Sequence, residues 1–356
     1  MRSYLYLLII SLLAFFILFI VFHFGDIPNR YNNGFKRKYL PVSARTHELH
    51  LPDTLYEIAG LTASTIYIAT AKEGEVLEVN TNLSNGIRRI KIPFFSRVYD
   101  SLQITSLAVQ IDSPYIYLFA ESTPAIIKTA FDSSLFEIKI LPPGSFSREV
   151  KVGAGCFILR KFESRLTDQI FVRYDFNTGL LRKEDGISQI YGDGGIISDG
   201  QLHFDAETKK LCYIYYYKNL LLSFDTSLSN ADRFFTIDTM RSFKMKTGKV
   251  KNSGTEAYTN ITPSNVINKV NDVKNGLLFN MSALKADNES DKFFSENSII
   301  DIVDLRNGQY LGSIYLPVFN GSKLERFVIS NNRLIGLYKN SIVTYELKPA
   351  LNLRDQ

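Results

Sequence analysis

The 356-residue sequence contains no tryptophan, two cysteines and four histidines, and these shortages exclude several kinds of site. No His-x-x-x-His, Cys-x-x-Cys, Gly-x-Ser-x-Gly or glycine-rich phosphate loop occurs, so common zinc, nucleophile-elbow and phosphate sites are not predicted. His47 and His50 lie three apart on one strand and point to opposite faces, so no transition-metal site is expected there. Cys156 and Cys212 each begin an apolar run, which favours two small buried side chains, although pairing stays open.

The amino terminus carries a charge-free apolar run at Tyr4–Phe22, broken only by Ser11. About 20 such residues cross a bilayer as one helix, and no small-x-small cleavage site follows them. We therefore expect a signal anchor over 1–24, which contacts the membrane through residues 4–24, and a polar linker over 25–39. The body is expected on the extracytoplasmic side, in a bacterial-type periplasm or cell envelope. Secretion after cleavage is the alternative, and basic residues after the run favour the opposite orientation.

Sets of four short strands repeat after the linker. In the clearest set, Gly192–Asp238, the run Leu211–Tyr217 is continuously apolar or aromatic. The third strand of each set ends at a residue that can bond to the backbone two residues on and fix a tight turn. These turn positions are Asn80, Asp132, Asp175, Asp225, Asp304 and Glu346. Their regular spacing favours turn formation over a role as catalytic carboxylates.

Four-stranded repeats about 50 residues long are typical of a β-propeller. In repeat layout and turn chemistry, residues 40–349 resemble the six-bladed propellers of the broad NHL/YVTN type. The resemblance implies an all-β fold of six four-stranded blades, preceded by one transmembrane helix and followed by a tail at 350–356. The last set has only three strands, and Ala44–Leu51 is a spare strand that would close the ring. Seven blades are the alternative if the long interval between Asp225 and Asp304 contains another blade.

Two segments depart from the repeat. Arg241–Asn265 is polar and basic, and Ala283–Asn297 is charged. Insertions of this length are usually functional or disordered. Both outcomes stay open for the first segment, and disorder at the surface is expected for the second.

Some propellers are calcium-dependent hydrolases, in which acidic and amide side chains converge on the channel. The residues that could supply oxygen ligands here are Asp193, Asp199, Asp205, Asn271 and Asp272. Asp193 and Asp199 each precede a glycine, which is typical of a turn entering a blade. No cofactor is therefore predicted, with calcium as the alternative. The lack of tryptophan argues against a quinone-dependent propeller enzyme.

The connections from the fourth strand of one blade to the first strand of the next contribute to the rim of one channel mouth. Several carry basic or aromatic side chains, and arginines gathered at one mouth would attract an anionic ligand. Lys323 lies in such a connection. The predicted ligand-binding residues are Arg97, Tyr99, Arg148, Tyr191, Asp193, Asp199, Arg241, Lys244 and Arg326. Solvated loop charge is the alternative for each residue alone.

These features predict a binding or scaffolding module without assigned catalytic residues. Its partner would be a protein, or an anionic small molecule or peptide. Nucleic acid is not expected, because the net charge of +5 is small and dispersed. The alternatives are a channel-centred hydrolase and a non-catalytic accessory of a membrane redox or export system. A converging acid, amide and histidine shell would favour the hydrolase, and a basic or apolar mouth without it would favour binding.

Overall fold

The computed structural model describes residues 6, 10–19, 33–52, 56–70, 74–84, 86–92, 107–241, 245–252, 255–262 and 265–347. Three of the predicted mouth residues, Arg97, Tyr99 and Lys244, lie outside these ranges.

Antiparallel β-strands dominate the described ranges. The strands are β1 (Val42–His50), β2 (Glu57–Leu61), β3 (Thr65–Ala69), β4 (Glu75–Asn80), β5 (Arg88–Lys91), β6 (Leu107–Asp112), β7 (Tyr115–Ala120), β8 (Ala125–Ala130), β9 (Phe136–Ile140), β10 (Phe146–Gly153), β11 (Cys156–Glu163), β12 (Asp168–Asp175), β13 (Leu181–Lys183), β14 (Gly200–Asp205), β15 (Lys210–Tyr215), β16 (Leu220–Asp225), β17 (Ala231–Phe235), β18 (Thr247–Asn252), β19 (Thr255–Asn260), β20 (Asn268–Lys274), β21 (Leu277–Ser282), β22 (Asn297–Asp304), β23 (Gln309–Pro317), β24 (Arg326–Ser330), β25 (Arg333–Tyr338) and β26 (Ser341–Leu347). A short helix spans Asp291–Glu296.

The strands form six four-stranded sheets, which we call blades one to six. Blades one to four are β2–β5, β6–β9, β10–β13 and β14–β17, blade five is β20–β23, and blade six has the order β1-β26-β25-β24. The six-bladed propeller with four-stranded blades is therefore confirmed. The seven-bladed alternative is wrong, because the only strands in the described part of the long interval, besides those of blades four and five, form the separate two-stranded hairpin β18–β19.

The middle strands of the blades are buried on both faces. In β15 and β21 nearly every residue is buried, whereas the outermost strands of blades one to four are mostly exposed or half-buried. Neighbouring blades pack through aromatic rings: Phe171 of blade three lies edge-on to Tyr213 of blade four, with centroids 5.0 Å apart. Burial on both faces explains why these strands are continuously apolar and do not alternate.

The predicted turn residues fix the last hairpin of the blades. The side-chain oxygens of Asn80, Asp175, Asp225 and Asp304 each accept from the backbone N–H two residues on, at 2.8 to 2.9 Å. Turn formation is thus confirmed at these four positions. Cys156 and Cys212 are both buried, as predicted, and lie in different blades.

The inner strands of blades one to six are β2, β6, β10, β14, β20 and β24, and polar contacts connect successive inner strands around the channel. Gln201 Nε2 of β14 donates to Lys269 O of β20 at 2.7 Å. Ile329 N of β24 donates to Asp272 Oδ2 of β20 at 2.6 Å. Close backbone approach also connects β2 with β6, because a Cβ atom on Gly60 would lie 2.4 Å from Ile111 O.

Residues 33–40 lie along the outer edge of blade five. Ser313 N of β23 donates to Lys38 O, and Leu40 N donates to Ser313 O, each at 2.8 Å. These bonds form a short parallel bridge between Tyr39 and Ser313. The described part of the predicted linker is therefore held against a blade.

Arg37 anchors this segment through a completely buried side chain. Its guanidinium donates to both carboxylate oxygens of Asp301, at 2.7 and 3.0 Å, and to Glu289 at 3.0 Å. Burial opposes the charge, but the attraction of Asp301 and Glu289 outweighs it and raises the pKa of Arg37 above its ordinary value. Glu289 belongs to Ala283–Asn297, which lies mostly at the surface as predicted but is ordered, with a short helix and one buried ion-pair partner.

After this segment the chain enters blade six as β1. Its pairing with β26 runs from Val42 opposite Leu347 to His50 opposite Ser341. Blade six therefore obtains its fourth strand from the amino-terminal part of the chain and its other three from the carboxyl-terminal part.

The predicted membrane anchor requires correction. Residues 10–19 are helical. Within the described ranges, none of the helices combines the length and the apolar character needed to cross a membrane. This finding contradicts the predicted localisation, a membrane-anchored chain with an extracytoplasmic body.

Candidate functional site

A cavity of about 410 Å³ opens on the channel, and we call it the inner cavity. All its lining residues except Tyr216 come from inner strands, of blades one, three, four, five and six. They are Glu57, Ile58, Arg148, Gln201, His203, Tyr216, Lys269, Val270, Asn271, Asp272, Arg326, Phe327 and Val328. The structure thus brings two of the predicted mouth residues, Arg148 and Arg326, into one cavity.

Irregular strand pairing places these side chains. The pairing register shifts between Ile58 and Gly60 in β2, between Phe146 and Arg148 in β10, and between Asn268 and Val270 in β20. Such shifts bend a strand and redirect its side chains. Three inner strands therefore depart from regular alternation at the cavity.

Arg148 joins blades three and four at the cavity wall. Its Nε donates to Gly200 O at 2.5 Å, and its Nη2 lies 3.0 Å from Asp199 Oδ2 and 3.3 Å from the Tyr216 hydroxyl. Burial lowers the pKa of Arg148, but the negative charge of Asp199 more than compensates, so the net pKa is raised. Burial raises the pKa of Asp199, and Arg148 offsets part of this shift. The predicted residue Asp199 therefore serves to hold Arg148 in place.

Arg326 and Lys269 bring two further cations to the same opening. Arg326 binds the Glu57 carboxylate through Nε and Nη2, at 2.9 and 2.6 Å, and so connects blade six with blade one. The Lys269 side chain is exposed and forms no ion pair with any residue in the described ranges. Burial and the positive charge of Lys269 lower the pKa of nearby Lys323.

His203, Asn271 and Asp272 form the polar floor of the inner cavity. Burial lowers the pKa of His203 to about 4, so its ring is neutral at pH 7. The ring Nε2 lies 2.6 Å from Asn271 Oδ1, and because an amide oxygen only accepts, Nε2 carries the proton. The other ring nitrogen lies 4.0 Å from Asp272 Oδ1. Burial raises the pKa of Asp272 to about 7 despite two backbone N–H donors.

A second cavity of about 750 Å³, the outer cavity, adjoins the first. Its lining residues are Tyr56, Glu57, Tyr216, Tyr217, Val266, Lys269, Val270, Met281, Leu324, Glu325 and Arg326. Five of them also line the inner cavity: Glu57, Tyr216, Lys269, Val270 and Arg326. We call these shared residues the neck. Lys269 and Arg326 therefore lie where the two cavities meet.

Four of the predicted mouth residues in the described ranges line neither cavity: Asp199, which holds Arg148, and Tyr191, Asp193 and Arg241. Asp193 is buried, and its carboxylate accepts from Gly195 N at 3.1 Å and Ile197 N at 3.0 Å, which fixes the loop that leads into blade four. Tyr191 donates its hydroxyl to Gln189 at 2.8 Å. Arg241 is exposed and lies over the ring of Phe235, at 5.7 Å.

The candidate calcium ligands do not converge either. Asp205 accepts from Thr208 Oγ1 and Gly276 N at the turn after β14, and Asp193 lies in the loop before that strand. Only Asn271 and Asp272 of the five line the inner cavity. In the part of the chain that the structure describes, no three His, Cys, Asp or Glu side chains are grouped as metal ligands would be.

Several site residues were missed at the level of the sequence. They are Glu57, Gln201, His203 and Lys269, all on inner strands. Of these, Lys269 could have been found from the sequence of its strand. β20 reads NKVNDVK and is polar, whereas the neighbouring strands are apolar. A polar strand in a buried fold indicates a surface such as a channel.

Comparison with known proteins places the chain by its fold. No family model and no curated protein sequence matches it. Among solved structures, it aligns with a member of the DUF4221 family from Bacteroides vulgatus with a TM-score of 0.52 at 12% identity, over 89% of this chain and 99% of that chain. It also aligns with a streptogramin B lyase, with a TM-score of 0.50 at 10% identity, over 85% of this chain and 97% of that chain. Identities this low show a shared fold only, and the NHL/YVTN type stays a prediction.

Proposed function

We propose that the protein is a binding module that takes a small anionic ligand at the channel mouth. The observation that carries this proposal is Lys269, an exposed ammonium group at the neck with no ion pair in the described ranges. Arg148 and Arg326 line the inner cavity beside it. Three cations from three blades around one opening produce a potential that attracts anions.

The carboxylates beside these cations pair with the two arginines and leave the Lys269 ammonium group free to bind a ligand. Asp199 is bound by Arg148 and Glu57 by Arg326, which leaves Lys269 uncompensated. The Arg326 and Glu57 side chains are 43% and 62% exposed, and such exposed pairs contribute only about 0–1 kcal/mol. A ligand carboxylate can therefore replace Glu57 on Arg326 at little cost in free energy.

We further propose that the pairing of β1 with β26 closes the propeller ring. Blade six packs on blade one through a shared apolar cluster that includes Ile335, Leu337 and Leu77. A closed ring keeps β24 and β2 at a fixed separation. The Arg326 and Glu57 pair at the neck would then be held in register by the fold.

Replacing Lys269 by alanine should weaken the binding of a carboxylate probe by about tenfold or more. A hydrogen bond to a charged group contributes about 1.5–3 kcal/mol, and 1.4 kcal/mol corresponds to a factor of ten. The measurement is calorimetric titration of the full chain with hexanoate, and with hexanamide as the uncharged probe of the same shape. Hexanoate should bind at least tenfold more tightly than hexanamide.

The matched control is Lys292→Ala, which removes a lysine whose side chain is 83% exposed on the short helix. Its hexanoate affinity should equal that of the wild type. Equal binding of hexanoate and hexanamide, or full hexanoate affinity in the Lys269 variant, would contradict the proposed function.

A further inference from the structure

We infer that the ligand of this mouth is a small amphipathic carboxylate whose charged end lies at Lys269 and whose aliphatic chain fills the outer cavity. The inference rests on the proposed function and assigns the ligand's other end.

The outer cavity has a preformed apolar wall. Tyr56, Met281 and Leu324 are 6%, 5% and 4% exposed, so packing fixes them on the side away from the cavity. Tyr217 and Val266 complete the wall. Concave sites with a mainly apolar lining and a few placed polar groups are typical of small-molecule sites.

The charged groups of the outer cavity are concentrated at one end. Glu57, Lys269 and Arg326 all belong to the neck, and the remaining charged residue, Glu325, precedes Arg326 in the chain. Arg326 interacts with both carboxylates, because it binds Glu57 directly and the negative charge of Glu325 also favours its protonated form. The two carboxylates and the two cations sum to zero charge, but Lys269 is the cation of this cavity that forms no ion pair in the described ranges. A cavity with a free ammonium group at one end and an apolar wall at the other matches a ligand with one anionic end and one apolar end.

The inner cavity cannot receive the apolar part of such a ligand equally well. Its floor consists of His203, Asn271 and Asp272, and Gln201 accepts from Asn271 N beside them. Covering these groups with an alkyl chain would remove them from water without replacing their hydrogen bonds, which is costly. The chain of the ligand is therefore expected to extend outward, along Tyr217 and Val266.

The test is a series of straight-chain carboxylates, from butyrate through hexanoate and octanoate to decanoate, titrated into the full chain below micelle-forming concentrations. Affinity should rise by up to about fourfold for each added methylene, the factor that corresponds to full burial of one such group. The rise should stop once the chain fills the outer cavity. Affinity that does not change from butyrate to octanoate would overturn the inference.

Val266→Trp probes the location of the chain. Val266 is 37% exposed, so the larger ring can enter the outer cavity without displacing the core. The variant should bind butyrate like the wild type but lose the increase with chain length. The control is Ile261→Trp, at a 63% exposed position outside both cavities, which should keep the increase. Melting temperatures of both variants check that each is folded.

The outcomes separate the inference from the proposed function. Discrimination of hexanoate from hexanamide without any effect of chain length would overturn the inference alone. An increase with chain length that is equal for acids and amides would overturn the anionic site. An unchanged increase in folded Val266→Trp would place the chain elsewhere and overturn the inference.

Discussion

Replacing Arg37 by alanine should lower the free energy of unfolding by about 3–5 kcal/mol, a large share of the stability of a typical domain. The side chains of Arg37, Glu289 and Asp301 are at most 2% exposed. Removing the guanidinium would leave two carboxylates buried without a counter-charge, and it would release residues 33–40 from blade five. Urea unfolding followed by circular dichroism measures the loss.

The control for this prediction is Arg88→Ala. Arg88 also pairs with a carboxylate, Glu78, at 3.0 Å, but its side chain is 69% exposed. An exposed pair contributes about 0–1 kcal/mol, so this variant should remain close to the wild type. A loss below 1 kcal/mol in the Arg37 variant would show that the buried ion pairs do not hold the amino-terminal segment.

The pH dependence of stability should change in opposite directions when His203 or Asp272 is replaced. The pKa of His203 falls on folding, from about 6.5 to about 4. The unfolded chain therefore binds the extra proton, and His203 reduces stability as the pH drops from 6.5 to 4. The pKa of Asp272 rises on folding, from the ordinary value of 3.8 to about 7. The folded chain then binds the extra proton, and Asp272 reduces stability as the pH rises from 4 to 7.

The two contributions oppose each other over the same pH interval, each on the order of 3 kcal/mol. Asp272→Asn should leave the His203 contribution unopposed, so this variant should lose stability relative to the wild type as the pH falls from 6.5 to 4. His203→Gln should lose stability relative to the wild type as the pH rises from 4 to 7. Urea unfolding at half-unit pH steps measures both differences. Burial also raises the pKa of Glu149, to about 8, but this group is present in all three proteins and cancels in the differences.

Gln201→Ala is the control for the pH series. It changes the same cavity without removing a titrating group, so its stability curve should stay parallel to that of the wild type. Parallel curves for all variants would mean that the cavity floor does not perturb His203 and Asp272.

The blades could be predicted from the sequence because their turns and the burial of their strands depend on residues that lie close together in the chain. A turn residue such as Asp225 acts within two residues of itself, and a run such as Leu211–Tyr217 shows burial on both faces directly. Arg148 and Arg326 were predicted by their place before or at the start of an inner strand. Tyr191 and Asp193 share that place but lie in a longer loop, whose folding turns them away from the cavities. The position of a residue in the connection between two blades therefore does not determine whether its side chain lines a cavity.

The rest of the site depends on irregularities that sequence patterns do not record. Lys269 lies at a shift in the pairing of β20, where alternation no longer predicts the direction of a side chain. Arg37 was expected in a linker, because nothing in its neighbourhood indicates a partner more than 250 residues away. Glu289 was expected at a disordered surface for the same reason. Contacts over such separations follow from the packing of distant segments on blade five and not from local composition.

The pairing of β1 with β26 also sets the order in which the blades can form. Thr46 of β1 contacts Thr344 of β26, 298 positions later, so during synthesis the first strand emerges long before its partner exists. Blades one to four can form as they leave the ribosome, whereas blade six cannot form until β26 has been synthesised. Contacts of such high sequence separation slow folding, and an unpaired strand edge invites association with other chains in the meantime. Nascent chains shortened before β26 should therefore leave β1 without its partner, although every residue of that strand is already present.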